Sequence, residues 1–163
     1  MTRVVLALLA ICTASPALAD DDDGRAEKGT FGAGIIIGEP TGVTAKLYVN
    51  DDEALQAAAG FAFVGGGIHA HADYVFHPVI LQSRDSFVLL AYVGPGVRFI
   101  QYRDGRDDTT LAVGIRGVGG LLFDFKDNPL DAFVEVAGVV EFETGDEGFG
   151  PALNAAAGVR YYF

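Results

Sequence analysis

From Phe31 to Phe163, apolar and polar residues alternate with period two, segment after segment, and this periodicity limits what the chain can fold into. The stretch from Gly150 to Phe163 shows it most plainly. Leu153, Ala155, Ala157, Val159, Tyr161 and Phe163 share one face, all apolar or aromatic. Asn154, Ala156, Gly158, Arg160 and Tyr162 share the other, small or polar. A strand divided in this way has one dry side and one wet side.

Eight such segments follow one another: 31–38, 43–50, 55–64, 68–76, 87–103, 109–124, 131–142 and 152–163. Turn-forming residues separate them, as in Glu39-Pro40-Thr41-Gly42, Asn50-Asp51-Asp52-Glu53 and Lys126-Asp127-Asn128-Pro129. His77 to Ser86, with Pro78, reads as the longest connection. Pro95 interrupts the fifth segment, and proline cannot donate to a sheet ladder. The parity of Leu89, Ala91, Val93, Val97 and Phe99 does not slip across it, which predicts one long strand with a kink or bulge. Gly65-Gly66-Gly67 is followed by neither a lysine nor a helical pattern, so it does not read as a phosphate cradle. No helical period is sustained after the first nineteen residues. The expected fold is all-β, an eight-stranded antiparallel up-and-down barrel.

Which face is apolar decides what surrounds the barrel. Lys46, Asp73, Arg98, Arg116, Glu135, Glu141 and Arg160 all lie opposite the apolar set. A soluble barrel of lipocalin type would turn the apolar set inward and the charges outward, and alternation alone does not separate the two cases. The charged face is rich in glycine, at positions 32, 34, 60, 94, 96, 114, 120 and 158. Glycine weakens a strand and packs nothing itself. It suits a narrow lumen where long side chains of neighbouring strands need room. The expected barrel is therefore transmembrane, with a polar lumen network of Lys46, His69, His71, Asp73, Arg98, Arg116, Glu135, Glu141 and Arg160.

Residues 1–19 read as a secretory signal peptide. Arg3 is its basic start, Val4 to Cys12 its apolar run and Ala17-Leu18-Ala19 its cleavage site. The apolar run is too short to span a bilayer as a helix. Cleavage after Ala19 removes Cys12, the single cysteine, and with it any disulfide or thiolate chemistry. Residues 20–30 form an acidic, flexible tail, and residues 31–163 the barrel. After cleavage, 10 basic residues stand against 22 acidic ones, a net charge of −12. That excludes nucleic acid as a partner, which requires a basic footprint.

The chain also resembles a family. From Phe31 to Phe163 it is similar to small outer-membrane barrels of the OmpA/OmpX type, in the stretches GEPTGVTAKLY, IHAHADYVF, AYVGPGVRF, GIRGVGGLLFDF, AFVEV and GVRYYF. The closing Val159, Tyr161 and Phe163 resemble the signature by which outer-membrane barrels are recognised for assembly. The resemblance implies the outer membrane of a Gram-negative envelope. Its expected partners are outer-membrane lipid, the barrel-assembly machinery and an extracellular protein met through the loops. It carries no activity, cofactor or catalytic residue.

The sharpest constellation is His69, His71 and Asp73, which share one strand face at i, i+2 and i+4 and are candidate metal ligands. With no third ligand in view, the leading reading of the same residues is the polar lumen network, with no metal. Ser83 and Ser86 lie outside any nucleophile-elbow pattern. Glu135 and Glu141, six residues apart on one strand, would stand roughly 20 Å apart, too far for a shared acid–base centre. The leading expectation is a non-enzymatic structural or surface-interaction protein with a charge-plugged lumen and no cofactor. The alternatives are a small channel, a barrel-borne lipid-modifying hydrolase or acyltransferase, and a soluble exported lipocalin-like binder.

Overall fold

The computed structural model describes residues 28–62, 66–104, 108–143 and 148–163. The expected signal peptide and most of the expected tail lie outside these residues. Eight strands follow in chain order: β1 Phe31–Gly38, β2 Thr41–Tyr48, β3 Glu53–Phe61, β4 Gly67–Ser83, β5 Phe87–Asp104, β6 Asp108–Phe125, β7 Leu130–Glu143 and β8 Phe149–Tyr162. Each pairs antiparallel with the next, and β8 returns to β1 from Gly32↔Tyr162 to Gly38↔Ala156, which closes the ring. The connections between strands are only two to five residues long. The all-β, eight-stranded antiparallel barrel expected from the alternation is the fold observed.

Two local expectations change. The segment from His77 to Ser86 is not a long connection. β4 continues through it to Ser83, leaving residues 84–86 as the turn. The register against β5 shifts between Phe76 and Val79 and again between Ile80 and Gln82. Pro78 falls in the first of these bulges, where a residue without an N–H is tolerated. The shifts also break the alternation, so Val79, Ile80 and Leu81 are all exposed in succession. Strand ends move as well: β2 starts at Thr41 rather than Val43, β3 at Glu53 rather than Leu55, and β8 at Phe149 rather than Ala152. β5, by contrast, is the single long strand expected, but without the expected bulge at Pro95, which pairs with Gly117 in an unbroken register to β6.

Pro151 shows how strand length and sequence fit together. β1 has ended by Gly38, and its last contact with β8 is Glu39 N donating to Ala155 O at 3.0 Å. β8 runs on to Phe149 with that edge unpaired by β1. Backbone groups alternate in direction along a strand, so Leu153, Pro151 and Phe149 point the same way as the Ala155 carbonyl. The missing N–H of Pro151 therefore lies on the free edge and costs no bond to β7. A proline there also blunts an edge that would otherwise invite pairing.

The two faces of the wall differ throughout. Ile35, Ile37, Val43, Phe61, Ile115, Val136 and Leu153 point outward and are exposed, Leu153 at 78%. The interior is packed. Ile36, Val75, Leu90, Tyr92, Val118, Leu122 and Phe133 form one buried apolar cluster, and Ala62, Ile100 and Ala112 a smaller one. An eight-stranded barrel is just wide enough for side chains to fill, and here they do.

Candidate functional site

The buried polar side chains lie among those apolar ones. Eight are charged, four cations (Lys46, Arg98, Arg116, Arg160) against four carboxylates (Asp73, Asp131, Glu135, Glu141), among the described residues. They sort into three groups along the lumen.

At the end where β1 begins and β8 ends, Arg160 pairs across the β7–β8 ladder with Asp131. Its Nε lies 3.0 Å from Asp131 Oδ1 and 3.2 Å from Oδ2, and its guanidinium sits 4.2 Å from the centre of the Phe133 ring. Tyr162 Oη donates to Asp131 Oδ2 at 2.5 Å. Lys46, 0% exposed, has its Nζ 2.7 Å from His77 Nε2 and lies over the rings of Tyr48 and Tyr92. His77 Nδ1 is 3.0 Å from the carbonyl of Asp52, which can only accept. That assigns the proton to Nδ1 and leaves Nε2 to accept from the lysine. Lys28, at the end of the expected tail, is tied to this rim by an ion pair with Asp124 and a bond to Leu130 O at 2.9 Å.

In the middle, Arg116 spans two carboxylates, with Nε 2.9 Å from Asp73 Oδ1 and Nη2 3.1 Å from Glu135 Oε1. Glu135 Oε2 accepts from Tyr92 Oη at 2.8 Å and from Gln56 Nε2 at 3.0 Å. Gln56 Nε2 also reaches Asp73 Oδ2 at 3.2 Å. His71 Nε2 stands 3.8 Å from both Asp73 Oδ2 and Glu135 Oε1.

At the far end, Arg98 Nη1 lies 2.5 Å from Glu141 Oε1 and 3.4 Å from Asn154 Oδ1. Tyr102 Oη accepts from Arg98 Nη2 at 3.3 Å and donates to Glu141 Oε2 at 3.1 Å. His69 Nδ1 is 3.2 Å from Glu39 Oε1. Ser83 lies on the exposed end of β4, hydrogen-bonded by Lys126 Nζ at 3.4 Å.

All nine residues named from the sequence for the lumen are buried, and Arg116 reaches Glu135. His69 and His71, although neighbours on one face, turn to different partners. Gln56, His77, Tyr92, Asp131, Asn154 and Tyr162 were not in the sequence-derived set. Parity was available as a signal for Asp131, which shares it with Phe133 and Glu135. Asp131 is the first residue of its segment, however, beside a turn, where parity says least about facing.

The inward glycines do make room. A Cβ at Gly32 would meet the Tyr162 ring at 2.8 Å, at Gly96 the Asp73 carboxylate at 1.9 Å, and at Gly120 the Tyr92 ring at 2.5 Å. At Gly158 it would meet the Ile35 carbonyl oxygen at 2.5 Å and the Phe133 ring at 2.6 Å, and at Gly114 a Val139 methyl at 2.7 Å. At Gly34, Gly60 and Gly94 the first obstacle is the neighbouring backbone instead. Gly120→Val is expected to push Tyr92 off Glu135 and to cost about 1–3 kcal/mol, as overpacking does. Urea unfolding of the refolded variant measures it; an unchanged midpoint would show that Tyr92 has room to spare.

No protein-family profile and no curated protein sequence matches the chain. Among solved structures it is similar to the crystal structure of the N-terminal β-barrel domain of Pseudomonas aeruginosa OprF. The TM-score is 0.55 at 17% identity, over 84% of this chain and 100% of that one. The likeness is one of fold.

Proposed function

We propose that this chain is a bacterial outer-membrane β-barrel with a structural or surface-interaction role and a lumen closed by its own charge network. The observation that carries this is the inversion of the wall. Apolar side chains cover the outside of a closed ring while eight charged ones are buried within it. In water, so continuous an apolar exterior would drive association. In hydrocarbon it is the expected surface, and a closed barrel is one of two backbone forms that leave no polar group unsatisfied there. The same inversion argues against a soluble lipocalin-like binder. The packed interior, with Tyr92, Phe133 and Leu122 among the charges, argues against an open channel.

On this reading, outer-membrane lipid covers the wall, and Val159, Tyr161 and Phe163 present the outward strand end to the barrel-assembly machinery. Tyr161 and Phe163 are exposed neighbours with ring centres 5.2 Å apart. Connections of two to five residues give a surface partner little to grip, which favours the structural role over adhesion. Two results are expected. The chain sediments with washed outer membranes and is released by detergent only. In planar bilayers it shows no steady, large conductance. Recovery as a soluble periplasmic protein would remove the membrane reading, and a steady large conductance would replace the closed lumen with a pore.

A further inference from the structure

We propose that His71, Asp73 and Glu135 bind a divalent metal ion of the Zn²⁺ class in the middle of the lumen. The His69-x-His71 spacing suggested a pair of imidazole ligands, but the fold builds a different set. His69 bonds Glu39 through Nδ1 and is not one of the residues whose ligand atoms gather within 4.8 Å, while Glu135 comes across the lumen from β7 to His71. His71 Nε2 lies 3.8 Å from Asp73 Oδ2 and 3.8 Å from Glu135 Oε1, and each of the three residues offers a ligand atom within 4.8 Å of the other two. Ligands of a tetrahedral zinc ion stand about 3.3 Å apart. The two histidine edges therefore need to close by about 0.5 Å, which the side-chain torsions of Asp73 and Glu135 supply. One imidazole with two carboxylates suits Zn²⁺ or its neighbours and not a soft ion such as Cu⁺.

Charge points the same way. Arg98 and Glu141 balance one another, whereas the middle group sets two carboxylates against Arg116 alone. Arg116 approaches Asp73 through Oδ1, which leaves Oδ2 on the histidine side. With an ion in place, Arg116 would be the outer partner that holds the carboxylate in orientation. Gln56 gives a second, independent observation. Its Nε2 bonds to both carboxylates, while its Oε1 is buried without a hydrogen-bond partner among the described residues. Turning the amide over, once the ion holds the carboxylates, would bring that acceptor to the metal side in place of Nε2.

The test uses the full chain, extracted in detergent and stripped with a chelator, with the metal alone as probe. Co²⁺ is expected to bind one to one with visible d–d absorption, and Zn²⁺ to displace it. His71→Ala should weaken Zn²⁺ by more than about 100-fold, beyond what an outer partner costs, while His69→Ala leaves it unchanged. His71→Gln, which roughly keeps the volume and puts an amide in place of the imidazole, is the second variant if His71→Ala fails to fold. Zn K-edge absorption of the wild type needs no variant and should show imidazole scattering. Absence of one-to-one binding, binding that survives loss of His71, or an all-oxygen shell such as the Asp20–Asp23 run would give, each overturns the proposal.

Discussion

Asp131→Asn is expected to destabilise the folded barrel by about 3–5 kcal/mol, the usual cost of stranding one member of a buried ion pair. Asp131 is the carboxylate that holds Arg160, through both oxygens, and it also accepts from Tyr162. Arg160 is buried, and its Nη1 and Nη2 have no hydrogen-bond partner among the described residues. Nearby Lys46 is held by His77 and two aromatic rings, so the cationic charge here leans on Asp131. An asparagine keeps the shape and loses the charge. Urea unfolding of the protein refolded into lipid vesicles should show the lowered midpoint. Asp127→Asn, in an exposed turn, should leave it unmoved. Equal behaviour of the two variants would mean that water reaches Arg160 freely.

Glu135→Gln is expected to cost about 3 kcal/mol, the lower end of the same range, because Arg116 keeps Asp73 at 2.9 Å. The variant weakens bonds from three groups at once: Arg116, Gln56 and Tyr92. A change at Asp21, in the acidic tail, should be neutral by comparison. A double-mutant cycle with Tyr92→Phe should return a coupling of about 0.5–3 kcal/mol, as for contacting residues. A zero coupling would place Tyr92 outside the network, and a neutral Glu135→Gln would show that the lumen is hydrated rather than packed.

Strand number, order and facing were legible because one period ran through the chain, and the side-chain period of a strand admits no slip without turning every residue over. Where that period breaks, legibility ended. The double bulge around Pro78 and Leu81 breaks the alternation of β4, and so its end from His77 onward reads as a loop. Parity also placed Arg116, Arg98 and Glu135 inside, because each stands in mid-strand. Asp131 stands at a strand end, where a turn and a lumen carboxylate look alike in sequence. Pairing across the lumen was beyond parity altogether. That His69 meets Glu39 and His71 meets Glu135 depends on barrel curvature and side-chain rotamers, not on spacing along one strand.

The central claim, an apolar wall facing lipid around a polar interior, is tested most directly at Val136, an outward residue on β7. With Cys12 replaced by serine, Val136→Cys supplies one labelling site for a bimane. In vesicles containing lipids brominated along their acyl chains, its fluorescence should be strongly quenched and its emission blue-shifted. Emission like that of a water-exposed dye, with no quenching by the brominated chains, would show that this face does not meet lipid and would contradict the account.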